Sequence, residues 1–463
     1  MKKSYKKIFG FWIVIGIILI SAPLYADSFL PKYVQYTLPN GMEVYLVEDH
    51  CLPMIHARLI FKNGASSDSS SLAGLSYITM ELLTKGTKKY PAEILNSMID
   101  STGGNIYSLV SYDVCGIYGD FLARDLDFSM EVISEMVISP KFTETTLDNL
   151  RRRVLSNIIR EQGLTLKFMS LLLIGEIYGE EGYGLPIEGT FESISDIEID
   201  QLEMYYKQNI CPNNAVLILS GDFKNDTASK LIKDKFSKWS KSEKIIAPKP
   251  KGITPDQTRI IIIDEPNAEI SEFVIGRDVE NLKSESGVAL QILNYLLGGS
   301  GSISILSQRL LTEYILVTDI KSEIIWKKES GTFKLSGSAN HINLAEAVEK
   351  SLAEMEFLTE LKLPLNEISD AKNYHKNIYA SVFEGSESTA NQFVEFIRMG
   401  LNPDFYYKYL ERIDKITPND LRECARKYFK RENMVIVVSG PASIIKPGLS
   451  NLGSVELIKM SRN

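Results

Sequence analysis

Asn214-Ala-Val-Leu-Ile-Leu-Ser-Gly221 and Asn433-Met-Val-Ile-Val-Val-Ser-Gly440 follow one plan: an Asn, an apolar run of strand length and a closing Ser-Gly turn. The same offset of 219 residues lays Ile194-Ser-Asp-Ile197 over Ile413-Asp-Lys-Ile416 and Leu202 over Leu421, so a short helix precedes the strand in both copies. A repeat of this length makes the chain two related units rather than one. Between them, Ser240 to Lys244 and Ala247-Pro-Lys-Pro-Lys-Gly252 are polar and Pro-rich, a composition that stays extended. The second unit restarts with the strand Arg259-Ile-Ile-Ile-Ile263, much as the first opens with one.

That opening reads as a hairpin. Tyr36 to Leu38 and Glu43 to Val47 flank Pro39-Asn40-Gly41, and Asn-Gly supplies the positive φ of tight hairpin turns. A third strand is expected over Met54 to Phe61. Apolar residues spaced three and four apart predict helices over Leu72–Leu83, Ala92–Ser101, Leu126–Ile138 and Glu144–Gln162. Strands mixed with helix pairs, twice over, place the chain in the α+β class. The expected division is a leader over 1–26, a first domain over 33–240, a linker over 241–256, a second domain over 257–446 and a tail over 447–463.

The leader has a basic start (Lys2, Lys3, Lys6, Lys7), an apolar core from Ile8 to Ile20 and small residues at Ala22-Pro-Leu-Tyr-Ala26, the pattern of a secretory signal peptide. It implies export, to the periplasm for a bacterial chain; left uncleaved, it would anchor the protein in the membrane. Removing its four lysines leaves 47 basic against 59 acidic side chains, a formal charge of −12 that argues against nucleic acid as a partner. Cys51, Cys115, Cys211 and Cys424 have no metal-cluster spacing, and no pairing among them follows from sequence. The four histidines, His50, His56, His341 and His375, form no H-x-x-E-H or H-E-x-x-H in either direction. His50 stands beside Asp49 and Cys51, but adjacent strand residues point to opposite faces. No phosphate loop or nucleophile elbow stands out.

Taken in order, Leu38-Pro-Asn-Gly41, Gly74-Leu75, Lys85-Gly-Thr87 with Tyr90-Pro91, Gly103-Gly104, Pro140-Lys-Phe142, Tyr183-Gly-Leu-Pro186 with Gly189-Thr190, and Pro212-Asn-Asn214 leading to Ser220-Gly-Asp222 form a spaced series. On that series, spanning residues 34 to 445, the chain resembles the pitrilysin/insulinase family of zinc peptidases, whose motif is an inverted H-x-x-E-H. The family's zinc helix runs from a Gly-Leu pair to a Lys-Gly-Thr segment, and Gly74 to Thr87 fits both ends without a gap. By this resemblance the two His positions fall on Tyr77 and Glu81, the general-base Glu on Met80, the third ligand on Asn157 and its supporting Glu on Leu150. Zinc catalysis needs three ligands, an open position for water and a base. One carboxylate does not provide these, so no catalytic residue, no metal ligand and no cofactor is expected.

Substrate contacts implied by the resemblance are altered too. The family's Asn-Ala on the substrate-holding edge strand corresponds to Tyr107-Ser108, while Ser111 and Asp113 keep the Ser and acidic positions, where a packing role is expected. The family's Arg and Tyr of the second domain fall on Leu311 and Thr318, and a two-residue slip would put the Arg at Arg309. The resemblance implies two tandem homologous domains, each a mixed or antiparallel sheet covered by helices, forming half of a clam-shell. It implies a silent subunit that joins an active zinc peptidase of the same family as a hetero-oligomer around a peptide-binding chamber. Two alternatives stay open: a stand-alone structural or peptide-binding protein, and a zinc metalloendopeptidase in its own right.

Overall fold

The computed structural model of the protein describes residues 30–162, 165–243, 252, 257–360 and 363–459. The leader and nearly all of the expected linker lie outside the described residues. Among the described residues, twelve strands form two six-stranded mixed sheets. The first contains β1 (Val34–Thr37), β2 (Glu43–Glu48), β3 (Met54–Phe61), β4 (Asn105–Val110), β5 (Cys115–Leu122) and β6 (Ala215–Gly221) in the order β1-β2-β6-β3-β5-β4. The second contains β7 (Arg259–Asp264), β8 (Ser271–Val279), β9 (Val317–Trp326), β10 (Gly331–Ala339), β11 (Val435–Gly440) and β12 (Ser454–Lys459) in the order β12-β7-β11-β8-β10-β9. In both, the strand that closes the repeat lies parallel to the opening strand and antiparallel to the next: β6 between β2 and β3, β11 between β7 and β8. Gly221 and Gly440 end these strands at φ +134° and +148°. A Cβ there would lie 2.1 Å from the Met54 carbonyl oxygen and 2.1 Å from Ser271 Oγ, so the repeated Ser-Gly is a steric requirement of the close strand crossing.

The hairpin forms around Gly41 at φ +91°, with Leu38 and Met42 bonded across it. The four predicted helices form as Leu75–Leu83, Ala92–Thr102, Leu126–Ile138 and Glu144–Gln162. The first starts three residues later than periodicity suggests because Gly74 takes φ +88°, where a Cβ would meet the Glu188 carbonyl oxygen at 2.8 Å. The expected tail needs correction: within 447–463, Ser454–Lys459 forms β12, parallel to β7. Without it the backbone groups along the outer side of β7 would form an open edge.

Every residue of β6 and β11 is buried, which explains why both read as unbroken apolar runs. Alternate residues serve different seams. Leu217 and Leu219 face the first half's own helices, whereas Val216 and Ile218 pack under Phe393 and Phe396 of the Ser386–Arg398 helix, which belongs to the second half. Conversely, Ile436 and Val438 face the second half's own core, while Val435 and Val437 pack against Leu173 and Ile177 of the Thr165–Tyr178 helix of the first half. Each repeat thus sends one helix onto the other's sheet. Each fully buried Leu or Phe in these seams is worth about 1.5–3 kcal/mol of apolar transfer.

A polar latch reinforces the exchange. The β9–β10 turn inserts Lys327 among Tyr112, Tyr178 and Tyr183, its Nζ 4.2 Å from the Tyr178 ring centre. Asp113 accepts from the Tyr183 hydroxyl at 2.5 Å and from the Lys328 amide at 3.0 Å.

Candidate functional site

The helix Leu75–Leu83 is held at its start by Asp68, whose Oδ2 accepts the Ser76 amide at 3.1 Å and the Ser76 hydroxyl at 2.8 Å. Burial raises the Asp68 carboxyl to about 7. From this helix Tyr77 and Glu81 share a face at i and i+4. Met80 lies wholly inside the first core. Tyr77 is partly buried against that core, and its phenol is pushed up to about 12, first by burial and then by the Glu81 charge.

Glu81 is already engaged on both oxygens. Oε1 accepts from the Ser108 hydroxyl on β4 at 2.6 Å, and Oε2 pairs with the guanidinium of Arg153 on the Glu144–Gln162 helix. Arg153 lies one helical turn before Asn157. Its cation therefore binds the one carboxylate that remains at the degenerate positions, and three elements are tied at a single point. Asn157 accepts instead from Arg160 at 3.3 Å, and Leu150 is buried in the core. Among the described residues no hydrogen bond or ion pair joins Asn157 to Tyr77 or Glu81. Of the four degenerate positions, Glu81 alone is tied to other elements by hydrogen bonds, to β4 and to Arg153. The sequence reading missed Arg153; its i−4 spacing from Asn157 was the available signal.

Tyr107 and Ser108 lie on β4, the edge strand of the first sheet. Ser108 is committed to Glu81, and Tyr107, 37% exposed, stacks on Tyr118 with ring centres 5.3 Å apart. Ser111 donates to the Val114 carbonyl at 2.9 Å and Asp113 belongs to the latch, so both pack rather than face an open cleft. In the second half Leu311 is exposed, Thr318 donates to the Ser338 carbonyl at 3.3 Å, and Arg309 pairs with Glu313 on its own helical segment at 2.7 Å.

The histidines have local partners. His50 bridges Asp222 at 2.6 Å and Glu48 at 2.9 Å; His56 meets Asp120 at 2.7 Å; His341 meets Ser271 at 2.8 Å; and His375 meets the Gln291 carbonyl at 3.2 Å. Cys115, Cys211 and Cys424 are buried thiols and Cys51 is an exposed one. Next to the degenerate helix, a cleft of about 680 Å³ has an apolar floor including Phe168, Leu172 and Leu185, with Glu161, Glu180 and Glu188 among its acidic residues. Burial, then the neighbouring Glu161, raises the Glu188 carboxyl.

A model of the insulinase family, peptidase family M16, matches residues 43–190, and one described as the peptidase M16 inactive domain matches residues 196–374. The chain belongs to the M16 peptidase family. It is similar to the zinc protease PqqE of Helicobacter pylori, at 23% identity over 447 residues covering 95% of this chain and 99% of that protein. It is also similar to the non-peptidase homolog YmxG of the same organism, at 21% identity over 397 residues covering 84% and 90%. Among solved structures, a protease from Helicobacter pylori superposes with a TM-score of 0.81 at 22% identity, covering 89% of this chain and all of that one, so the two share a fold.

The M16 family implies zinc, and the donor set here does not suit it. A phenol held protonated well above neutral pH, a buried thioether, an amide and a carboxylate already neutralised by a guanidinium offer no three-ligand site with an open position. Among the described residues no group of three or more His, Cys, Asp or Glu side chains is placed to hold a metal ion.

Proposed function

We propose that this chain is a catalytically silent M16 subunit, exported by its leader to the periplasm, that joins an active zinc peptidase of the same family and closes one side of a peptide-binding chamber. The observation that carries this reading is the Glu81–Arg153–Ser108 tie. It puts a protein cation on the residual carboxylate and links the old zinc helix, the edge strand and the old third-ligand helix into one closed unit. The likeness to a protein named a non-peptidase homolog supports it. So does β4, an edge strand with no strand paired to its outer side among the described residues, as strand addition of a peptide needs.

The test is metal content and peptidase activity of the mature chain, alone and mixed with a co-exported zinc peptidase of the family. The expected result is no zinc and no cleavage alone, with an altered rate or specificity in the mixture. Stoichiometric zinc with unaided cleavage overturns the reading.

A further inference from the structure

The second half has a counterpart to the degenerate metal site. The helix Glu285–Asn294 follows β8 as Leu75–Leu83 follows β3, and β9 is the outer strand of its sheet as β4 is of the first. The helix Leu365–Ser381 ends one repeat length after Glu144–Gln162. Where these three elements meet, the first half has the Glu81 tie. The second half instead has a pocket of about 300 Å³.

Its walls are largely aromatic. Tyr295 and Tyr374 lie with ring centres 4.3 Å apart, His375 stands edge-on to both, and Trp326 and Tyr379 line it beside the aliphatic Ile324 and Ile378. Burial lowers the His375 pKa, which favours the neutral imidazole. Two acceptors of lining residues, Gln291 Oε1 and Asn294 Oδ1, are shielded from solvent and have no hydrogen-bond partner among the described residues. No Lys or Arg contributes to the lining.

We propose that this pocket binds the cationic end of a basic side chain, the alkylammonium of lysine or the guanidinium of arginine. Aromatic faces attract such a group through their negative π-clouds. An anion would find no positive partner here. An apolar side chain would gain no such attraction from the rings. The inference is independent of the silent-subunit reading, because it concerns the isolated chain with no peptidase present.

The test uses the mature chain carrying Trp239→Phe, which leaves Trp326 as its one indole, titrated with acetyl-Gly-Gly-Lys-Gly-Gly-amide. Saturable change of Trp326 emission is expected with this peptide and its arginine analogue. The acetyl-lysine, norleucine and glutamate analogues are expected to bind at least tenfold more weakly, and Tyr295→Ala to weaken the lysine peptide roughly fivefold. Calorimetry on the chain with Trp239 intact gives the same answer should Trp239→Phe fail to fold. Equal binding of the norleucine and lysine peptides, indifference to Tyr295→Ala, or no saturable binding by either method overturns the proposal.

Discussion

The two repeats bring the same three elements together, and they treat the junction differently. In the first half an acid, a hydroxyl and a guanidinium knit helix, edge strand and second helix together, with Met80 filling the space beneath. In the second half the junction is a pocket walled by rings, with amide oxygens left without partners. Charge at a junction closes it when both signs are supplied from within, because each ion satisfies the other. A junction lined mainly by rings and aliphatic side chains has no such internal ion pair, and a pocket remains there.

The sharpest way to break this comparison is to ask whether the halves are separable at all. The helix each repeat places on the other's sheet predicts that they are not. Phe393→Ala, which strips the outer face of the first sheet, should cost about 3–5 kcal/mol, and Leu173→Ala, its counterpart on the second, about 2–5 kcal/mol. Both losses should appear in one cooperative denaturant transition read by circular dichroism. Two transitions, with each substitution shifting only one, would make the halves independent and the junctions unrelated.

Next in size is the claim that the first junction is filled. Met80→Glu restores the family's base residue but puts a carboxylate where nothing is exposed and where the nearby guanidinium already serves Glu81. It should destabilise by about 3 kcal/mol or more by the same measurement. Tolerance within about 1 kcal/mol would mean that the old site is still open.

A third difference is electrical. The first helix of the first repeat is held by buried Asp68, whereas its counterpart Glu285–Asn294 begins at neutral Ser284. The unfolded chain loses the Asp68 proton near the ordinary aspartate value and the folded chain near 7. Between those values the folded state holds the extra proton, so this group's contribution falls as pH rises, by at most about 1.4 kcal/mol per unit. Asp68→Asn should therefore lose least, or gain, at pH 8 relative to pH 5. An unchanged difference between the two pH values would place the titration elsewhere.

Much of the framework was legible because backbone chemistry is local. Asn40-Gly41, the two Ser-Gly closures and the three- and four-residue apolar spacing each act through neighbours in sequence, and Leu126–Ile138 and Glu144–Gln162 form with the bounds that spacing predicts. The loss of the family's ligand residues was legible for a different reason: a ligand set is a matter of residue identity, and Tyr77, Met80 and Asn157 do not supply it wherever they point. What the sequence hid is pairing at long range. Nothing local to Arg153 names Glu81, 72 residues away, as its partner. Nothing in Ser454–Lys459, short and following a Gly, announces a sixth strand until β7 offers an edge. The exchanged helices were hidden for the same reason, since apolar spacing shows that a face is buried but not what buries it.

The smallest expected effect concerns Arg153 itself, and it separates two explanations of the closed junction. Arg153 is 52% exposed, so its pairing with Glu81 is screened and Arg153→Met should change stability by no more than about 1 kcal/mol. If the cation were a plug over an otherwise competent site, removing it would let zinc bind, and equilibrium dialysis of the variant would approach one equivalent. If the defect lies in the donors, zinc stays near zero, because Tyr77 remains protonated and Asn157 remains an amide whether or not Glu81 is freed. The second outcome is expected. It would make Arg153 the residue that closes the first junction while the lost ligands silence it.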